Sequence, residues 1–198
     1  MLDHYRTLAS AAELRQKIER SEFLGIAFPV ETDEAFFAEL ASLTRRHHDA
    51  THLCWAFRLF ANGEIRARSA DAGEPSGTAG KPILSAIEGA DLHDVAVIVV
   101  RWYGGVKLGT GGLSRAYRET AAAALRAASI EDRYLYKRFR IAVPFDLIGV
   151  VYRLIDAPDI VLAGRHFAET NEFELDVRLS RAEELTKVLI ENRIITLR

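Results

Sequence analysis

The residues from Val95 to Val100 constrain the fold of this chain more than any other stretch, because all of them are apolar and most are β-branched. A strand without polar alternation is covered on both faces, which places it near the centre of a sheet. Beyond it, apolar residues recur at helical spacing from Leu113 to Ala128, and the charged residues fall mostly on the opposite side. The segment therefore predicts a buried central strand, a glycine-rich connection and an amphipathic helix.

The connection between this strand and this helix, Gly104 to Gly112, is rich in glycine, which lets backbone amides point inward just before a helix N-terminus. From Arg101 to Arg118 every charged side chain is basic. A phosphate group fits such a loop, although the same glycines could serve only a tight crossing from strand to helix. The spacing matches neither the P-loop nor the dinucleotide fingerprint, so we expect neither an ATPase nor a dehydrogenase.

A second unusual loop, Asp71 to Pro82, also precedes a predicted helix. Its hydroxyl groups and the amides near Gly80 lie just before a helix N-terminus, where they could bind an anion. Asp71 and Glu74 are candidates for catalysis, as an acid/base pair or a divalent-cation site, but carboxylates in such loops more commonly cap backbone amides. No His, Lys or Tyr partner is evident nearby in the sequence, so catalysis is not favoured.

The candidate contacts to phosphate groups are the small, hydroxyl-bearing and basic residues of these two loops and of the helix after the first. They are Ser76, Gly77, Thr78, Gly80, Lys81, Arg101, Gly104, Gly105, Lys107, Gly109, Gly111, Gly112, Arg115 and Arg118. The whole chain has a formal net charge of -2, which is not that of a general polyanion binder. The basic character is therefore local.

Cys54 is the only cysteine, which excludes an intramolecular disulfide and a cysteine-rich zinc site. It lies in a predicted strand from Thr51 to Phe60, where a cysteine is usually a buried apolar residue, although His52 on the same face could activate it. Asn62-Gly63 predicts a hairpin turn into a returning strand from Glu64 to Ser69. We expect no metal, no cofactor, no membrane span and a cytoplasmic location.

Capping residues mark two helix starts. Thr32 offers an N-cap, followed by two acids in the first turn and by Phe36 and Leu43 in a buried stripe. Ser180 with Glu183 predicts a capping box for the last helix of the chain.

The helical pattern breaks near Ser129, where we place a domain boundary that separates residues 1–130 from residues 133–198. Beyond the boundary the chain predicts strand, helix, strand, strand, helix and strand, which is the ferredoxin-like β-α-β-β-α-β order. From Phe173 to Leu179 apolar residues alternate with charged ones, so one face of this sheet is exposed to water. The predicted fold class is α+β with two domains.

Two long stretches resemble the signature motifs of the Impact/YigZ family. They are Asp71 to Ile83 (DAGEPSGTAGKPI) and Val99 to Tyr117 (VVRWYGGVKLGTGGLSRAY), and His52 to Ala56 is similar to a shorter third motif. The resemblance extends from Ser21 to about Tyr117, and the C-terminal half is similar mainly in the order of its elements.

The resemblance implies an N-terminal α/β domain similar to the second domain of ribosomal protein S5 and to domain IV of elongation factor G. It implies a C-terminal domain like domain V of that factor. Eukaryotic Impact regulates translation by competing for the activator of an amino-acid-starvation kinase, and bacterial members are suspected to bind nucleic acid or ribosomes. Some members have a proline-dipeptidase label, but this sequence shows no Asp/His/Glu metal-ligand constellation of that kind.

Two positions depart from the family pattern. Ala72 stands where a second acid is usual, which argues against a metal role for the Asp71 loop. Glu22 stands where a basic residue is frequent, which argues against an RNA role for the first strand.

We therefore expect a non-enzymatic, RNA- or ribosome-associated regulator of translation that contacts phosphate groups through the two glycine-rich loops. One alternative is an enzyme that acts on a small phosphorylated or peptide substrate, with Asp71 and Glu74 at its site. The other is a protein-interaction module that docks a partner on the exposed sheet face of the C-terminal domain. The expected partners are RNA or a ribosome, or a protein of translation control, and no membrane.

Overall fold

The computed structural model describes residues 3–61, 64–167 and 171–197. Its strands are β1 (His4–Leu8), β2 (Ala12–Ile18), β3 (Ser21–Pro29), β4 (His52–Ala61), β5 (Glu64–Ala70), β6 (Val95–Trp102), β7 (Ile130–Tyr134), β8 (Tyr136–Val143), β9 (Ile160–Phe167), β10 (Asn171–Arg178) and β11 (Ile195–Leu197). Its helices are α1 (Asp33–Arg46), α2 (Gly80–Gly89), α3 (Gly109–Ala127), α4 (Ile148–Ile155) and α5 (Ala182–Glu191). Contacts divide the chain into two compact units, residues 6–132 and the described parts of 1–5 with 133–198.

The unit of residues 6–132 is built on a five-stranded antiparallel sheet with the order β2-β3-β6-β4-β5. β6 is the central strand, and its residues from Val95 to Arg101 are all buried. Helices α2 and α3 cover the odd-numbered residues of its apolar run, and α1 covers the even-numbered ones. The prediction of a central strand covered on both faces is confirmed.

The predicted hairpin and the first predicted helix cap are also present. β4 and β5 pair antiparallel, with Ala61 opposite Glu64. The predicted turn residues Asn62-Gly63 lie outside the described residues. Thr32 is the N-cap of α1, and its hydroxyl accepts a hydrogen bond from the amide of Ala35 at 3.1 Å.

Helix α3 begins at Gly109, four residues before the apolar pattern that predicted it. Gly111 and Gly112 thus belong to the start of the helix and not to the loop. Glycine is a poor helix former, but this start is continuous with a long helix whose buried face packs against the sheet, and packing outweighs propensity. The first amides of α3 are consequently those of a glycine-rich turn.

Three strands were not anticipated from the sequence. β2 lies at an edge of the large sheet, and its charged residues alternate with only partly buried ones, so it has no apolar run. β1 and β7 form a separate two-stranded sheet, and β7 occupies the segment where the helical pattern breaks.

The second unit is a four-stranded antiparallel sheet with the order β11-β8-β10-β9 and follows the predicted β-α-β-β-α-β order. Alternate residues from Phe173 to Val177 of β10 are buried in a core shared with α4 and α5. The residues between them face water and form the ion pairs Arg138–Asp176 and Arg140–Glu174 with β8. The ferredoxin-like prediction is confirmed, including its exposed sheet face.

The predicted capping box of Ser180 and Glu183 is wrong. The chain enters α5 through a 3-10 turn at Leu179–Arg181, so Ser180 lies before the helix and no side chain caps it. The amide and the hydroxyl of Ser180 instead donate hydrogen bonds of 2.8 Å each to the carboxylate of Asp3. A partner 177 residues away replaces the local one.

Candidate functional site

Asp71 organises the loop before α2. One of its carboxylate oxygens accepts the amide of Gly77 at 2.8 Å, and the other accepts the amides of Ala79 at 2.9 Å and Gly80 at 2.8 Å. Burial acts to raise the pKa of Asp71, but these amide donors outweigh it and hold the pKa below its ordinary value. The amides that the sequence analysis assigned to a phosphate group are thus bonded within the chain.

The remaining candidates of this loop are only partly open to solvent. Thr78 is buried, and its hydroxyl donates to the carbonyl of Pro75 at 2.6 Å. Ser76 and Lys81 are exposed. The loop therefore offers an anion one hydroxyl and one ammonium group, without the cradle of amides that the glycines suggested.

Glu74, from the same loop, is the centre of a buried polar cluster. Its Oε1 accepts hydrogen bonds from Arg101 of β6 at 2.5 Å and from the Tyr117 hydroxyl of α3 at 2.8 Å. The Nε2 atom of His52, on β4, lies 3.9 Å from the same oxygen. Only 4% of the Glu74 side chain and 5% of the Arg101 side chain are exposed, so the two charges neutralise each other where water has little access.

Two further groups of this cluster stay protonated at neutral pH. Burial raises the pKa of the Cys54 thiol to about 12, and its Sγ donates to the carbonyl of Asp71 at 2.9 Å. Burial, and then the neighbouring Cys54, raise the pKa of Tyr117 above its ordinary value. The Nδ1 atom of His52 lies 3.0 Å from the carbonyl oxygen of Ala72. This geometry gives no support to a Cys54 nucleophile activated by His52.

A cavity of about 490 Å³ opens beside this cluster. Its lining includes His52, Glu74 and Arg101, together with Lys107 and the start of α3. Its size is that of a site for a small molecule, and its polar groups include both charge signs. We call it the Glu74 cavity.

The glycine-rich loop that borders the Glu74 cavity has a packed part and an open part. A Cβ atom at Gly104 would collide with the backbone of Arg20, and the amide of Gly104 lies 3.3 Å from the hydroxyl oxygen of Ser21, to which it donates. Gly109 has a φ of +70°, which favours glycine, and an added Cβ atom there would meet nothing within 4 Å. Lys107 is exposed. Gly105 is exposed as well, so the loop is accessible to a ligand from Gly105 to the start of α3.

The start of α3 has no side-chain cap, because its N-cap position is Leu108. Its first turn contains Gly109 to Gly112, and the first three of these residues are exposed. Helix amides without an intrahelical acceptor, together with the helix dipole, make such an end positive. With Lys107 beside it, this end of α3 suits an anion.

The structure separates the basic residues that the sequence analysis placed together. Arg101 and Lys107 line the Glu74 cavity, but Arg101 is already engaged by Glu74. Arg115 and Arg118 are exposed further along α3, and Arg118 lines a different cavity.

The partners of Glu74 were not predicted from the sequence. They come from β4, β6 and α3, and Arg101 and Tyr117 lie 27 and 43 residues away from Glu74 in the chain. The available signal was the family resemblance, because its three motifs contain Glu74 and all of these partners.

Within the described residues, no group of three or more His, Cys, Asp or Glu side chains is placed to hold a metal ion. The described helices also include none that is both long enough and apolar enough to span a bilayer.

Known proteins similar to this chain align with most of its length. The family model of the Impact N-terminal domain matches residues 19–125. IMPACT family member YvyE of Bacillus subtilis (strain 168) is 30% identical over 191 residues, which cover 96% of this chain and 88% of that protein. IMPACT family member YigZ of Escherichia coli (strain K12) is 37% identical over 126 residues, which cover 63% of this chain and 62% of that protein.

The fold also has a counterpart among solved structures. A crystal structure described as that of a hypothetical protein superimposes with a TM-score of 0.71 and 24% sequence identity. The superposition covers 100% of this chain and 98% of the other, so the two proteins share their fold along their whole length.

Proposed function

The chain belongs to the Impact family, and on this basis we propose that it is a cytoplasmic, non-enzymatic regulator of translation that binds phosphate groups of RNA or of the ribosome. The observation that carries the proposal is the uncapped start of α3, whose exposed glycine turn lies between the exposed side chains of Lys107 and Arg115. Amides and cations of this kind bind phosphate oxygens without reading the bases. The regulation of translation by eukaryotic Impact supports the same function.

The two loops contribute unequally in this proposal. In the loop before α2 the amides are bonded to Asp71, so Ser76 and Lys81 are its contacts. The loop before α3 contributes Lys107 and the amides of Gly109 to Gly112. The proposed phosphate site is therefore centred on α3.

Co-sedimentation with ribosomes, with separated subunits and with free RNA over a series of salt concentrations tests the proposal. The wild type should bind at low salt and dissociate steeply as salt rises, because each phosphate contact releases counterions. In Lys107→Ala/Arg115→Ala the slope of log affinity against log salt should fall by about 0.7–0.9 for each phosphate that the protein no longer neutralises. The control Lys17→Ala/Arg45→Ala removes two exposed charges from β2 and α1 and should bind as the wild type does.

Two outcomes would contradict the proposal. If the wild type fails to bind at low salt, RNA and ribosomes are not its partners. If Lys107→Ala/Arg115→Ala binds as tightly as the wild type, phosphate groups do not bind at the start of α3. Both side chains are exposed, so the variant should keep the thermal midpoint of the wild type.

A second candidate function is an enzyme that acts on a small phosphorylated or peptide substrate. It is favoured by the Glu74 cavity, whose lining combines His52 and Glu74 with the positive start of α3. Asp71 would take no part, because it caps α2. A thermal-shift screen of phosphorylated metabolites and dipeptides is the test. A compound that stabilises the wild type but not Glu74→Gln, and that is turned over, supports this function, and a screen without any shift rejects it.

A further inference from the structure

A second cavity, of about 530 Å³, lies between the end of α2 and the side of α3. Arg6, Arg118 and Arg126 line it, and the lining residues that the structure describes include no Asp or Glu. We call it the arginine cavity. Apart from Arg118, the sequence analysis assigned none of these residues to a site.

The three arginine side chains are exposed, and none of them forms an ion pair with a described acid. Arg118 and Arg126 are two turns apart on α3, about 12 Å along the helix axis, and both line the cavity. Like charges around one cavity repel one another, and an anion between them relieves the repulsion. The cavity thus has an electrostatic preference for an anionic ligand.

Arg6 is positioned over this cavity by its backbone. It pairs with Leu92 in a parallel bridge, and its carbonyl accepts the amide of His93 at 2.9 Å. The next residue, Thr7, is buried, and its hydroxyl donates to the carbonyl of Asp94 at 3.2 Å. The backbone of Arg6 is therefore held beside the cavity, so only its side chain has to be ordered when a ligand binds.

The floor of the arginine cavity is apolar. Ala122 is partly exposed and Leu125 is 3% exposed, and both line it together with Leu92, which is fully buried. A Cβ atom added at Gly89, another lining residue, would meet nothing within 4 Å, so small residues leave the space open. A matching ligand has an anionic group for the rim and an apolar, flat group for the floor.

From these features we propose that the arginine cavity binds a nucleotide, with its phosphate on Arg6, Arg118 and Arg126 and its base against Ala122 and Leu125. Guanidinium groups bind phosphate oxygens through paired hydrogen bonds. A nucleotide supplies both required groups, whereas inorganic phosphate or a nucleoside supplies one. The nucleotide is either free or part of an RNA strand. This site goes beyond the proposed function, because it does not include the start of α3.

Isothermal titration of the full chain with adenosine monophosphate, adenosine, inorganic phosphate and a short oligoadenylate tests this site. Adenosine monophosphate should bind about tenfold or more tightly than adenosine or phosphate. Arg118→Gln/Arg126→Gln should weaken its binding by about tenfold or more, since hydrogen bonds to charged groups are strong. The control Arg45→Gln/Lys187→Gln removes two exposed charges elsewhere and should leave affinity unchanged. Tighter binding of oligoadenylate than of the monophosphate identifies RNA as the source of the nucleotide.

The variant Ala122→Leu tests the apolar floor without changing charge. It should weaken the binding of adenosine monophosphate and leave that of inorganic phosphate unaltered, because the added side chain occupies the space of the base. If inorganic phosphate binds the wild type as tightly as adenosine monophosphate does, the base does not contact the apolar floor and this part of the proposal is wrong.

The whole inference is overturned if neither adenosine monophosphate nor oligoadenylate binds, or if Arg118→Gln/Arg126→Gln binds them as the wild type does. Lys107→Ala/Arg115→Ala should retain the binding of adenosine monophosphate. If Lys107→Ala/Arg115→Ala loses the binding of adenosine monophosphate while Arg118→Gln/Arg126→Gln keeps it, the nucleotide binds in the Glu74 cavity. A protein that fails to bind ribosomes can thus still bind the nucleotide, and a protein that fails to bind the nucleotide can still bind ribosomes.

Discussion

Single residues of one loop show how surroundings assign different roles to the same chemical group. Asp71 and Glu74 are both carboxylates, three residues apart. Asp71 accepts three backbone amides and caps a helix. Glu74 accepts Arg101 and Tyr117 in a site with little water. The first is structural, and the second lines the Glu74 cavity.

Glu74→Gln should lower the free energy of unfolding by about 3–5 kcal/mol, because it leaves the buried charge of Arg101 without a counter-charge. Urea unfolding of variant and wild type measures the difference. Glu119→Gln, an exposed change on α3, is the control and should lie within about 0.5 kcal/mol of the wild type. A destabilisation no larger than that of the control would contradict the buried pair.

Asp71→Asn should destabilise the protein by about 1–3 kcal/mol at neutral pH, because amides that bond a carboxylate lose part of that interaction. The pKa of Asp71 in the folded protein lies below its ordinary value of 3.8, so its ionised form stabilises the fold above that pH. This stabilisation is lost as the pH falls through the folded-state pKa. The stability gap between wild type and variant should therefore shrink on acidification, as urea unfolding at several pH values would show. A gap that stays constant with pH would argue against the ionised cap.

Among the elements, α3 and the loop before it connect the core with both proposed sites. The buried face of α3 packs on the sheet. Its start borders the Glu74 cavity, and its exposed side borders the arginine cavity. One helix thus presents positive groups to two separate cavities, and its position depends on how the loop crosses from β6.

Gly104→Ala should cost about 1–3 kcal/mol of stability or more, because the new Cβ atom would collide with the backbone of Arg20, which cannot rotate away. Gly111→Ala is the matched control in the same glycine-rich segment. A Cβ atom there meets nothing within 4 Å, and alanine favours the helix, so this variant should be as stable as the wild type or slightly more stable. Thermal unfolding compares them. Equal midpoints for the two variants would show that the loop is not packed against Arg20.

The molecule as a whole contains a separate hydrophobic core in each unit. The core of residues 6–132 lies on the two faces of the five-stranded sheet. The other core lies between the four-stranded sheet and α4 with α5. Both tryptophans, Trp55 and Trp102, belong to residues 6–132, so their fluorescence reports on that unit.

Phe173→Ala should destabilise the ferredoxin-like unit by about 3–5 kcal/mol, since Phe173 is 0% exposed in its core. Part of the far-UV circular dichroism should then disappear at lower urea, while the tryptophan transition stays in place. Phe145→Ala, at a residue 84% exposed, should change neither signal. A tryptophan transition that moves together with the circular dichroism would show that the two cores unfold as one.

Much of this fold was predictable because it depends on neighbours in the chain. The apolar run from Val95, the alternation from Phe173 and the cap at Thr32 each predicted an element that the structure contains. The capping box at Ser180 failed because the chain enters α5 through a 3-10 turn, so Ser180 lies before the helix, where its amide and hydroxyl donate to Asp3, far away in the chain. A local pattern fails where the backbone of its residues takes another conformation in the folded protein.

The sequence by itself determined the elements other than β1, β2 and β7, because periodicity reports which way a residue faces within its own strand or helix. It also determined the family, through its long motifs. Only the tertiary structure decided which side chains meet. It brought His52, Arg101 and Tyr117 to Glu74, and it directed Arg118 away from the Glu74 cavity. Ion pairing, burial and pKa depend on which elements pack together, and that information is spread over residues far apart in the chain.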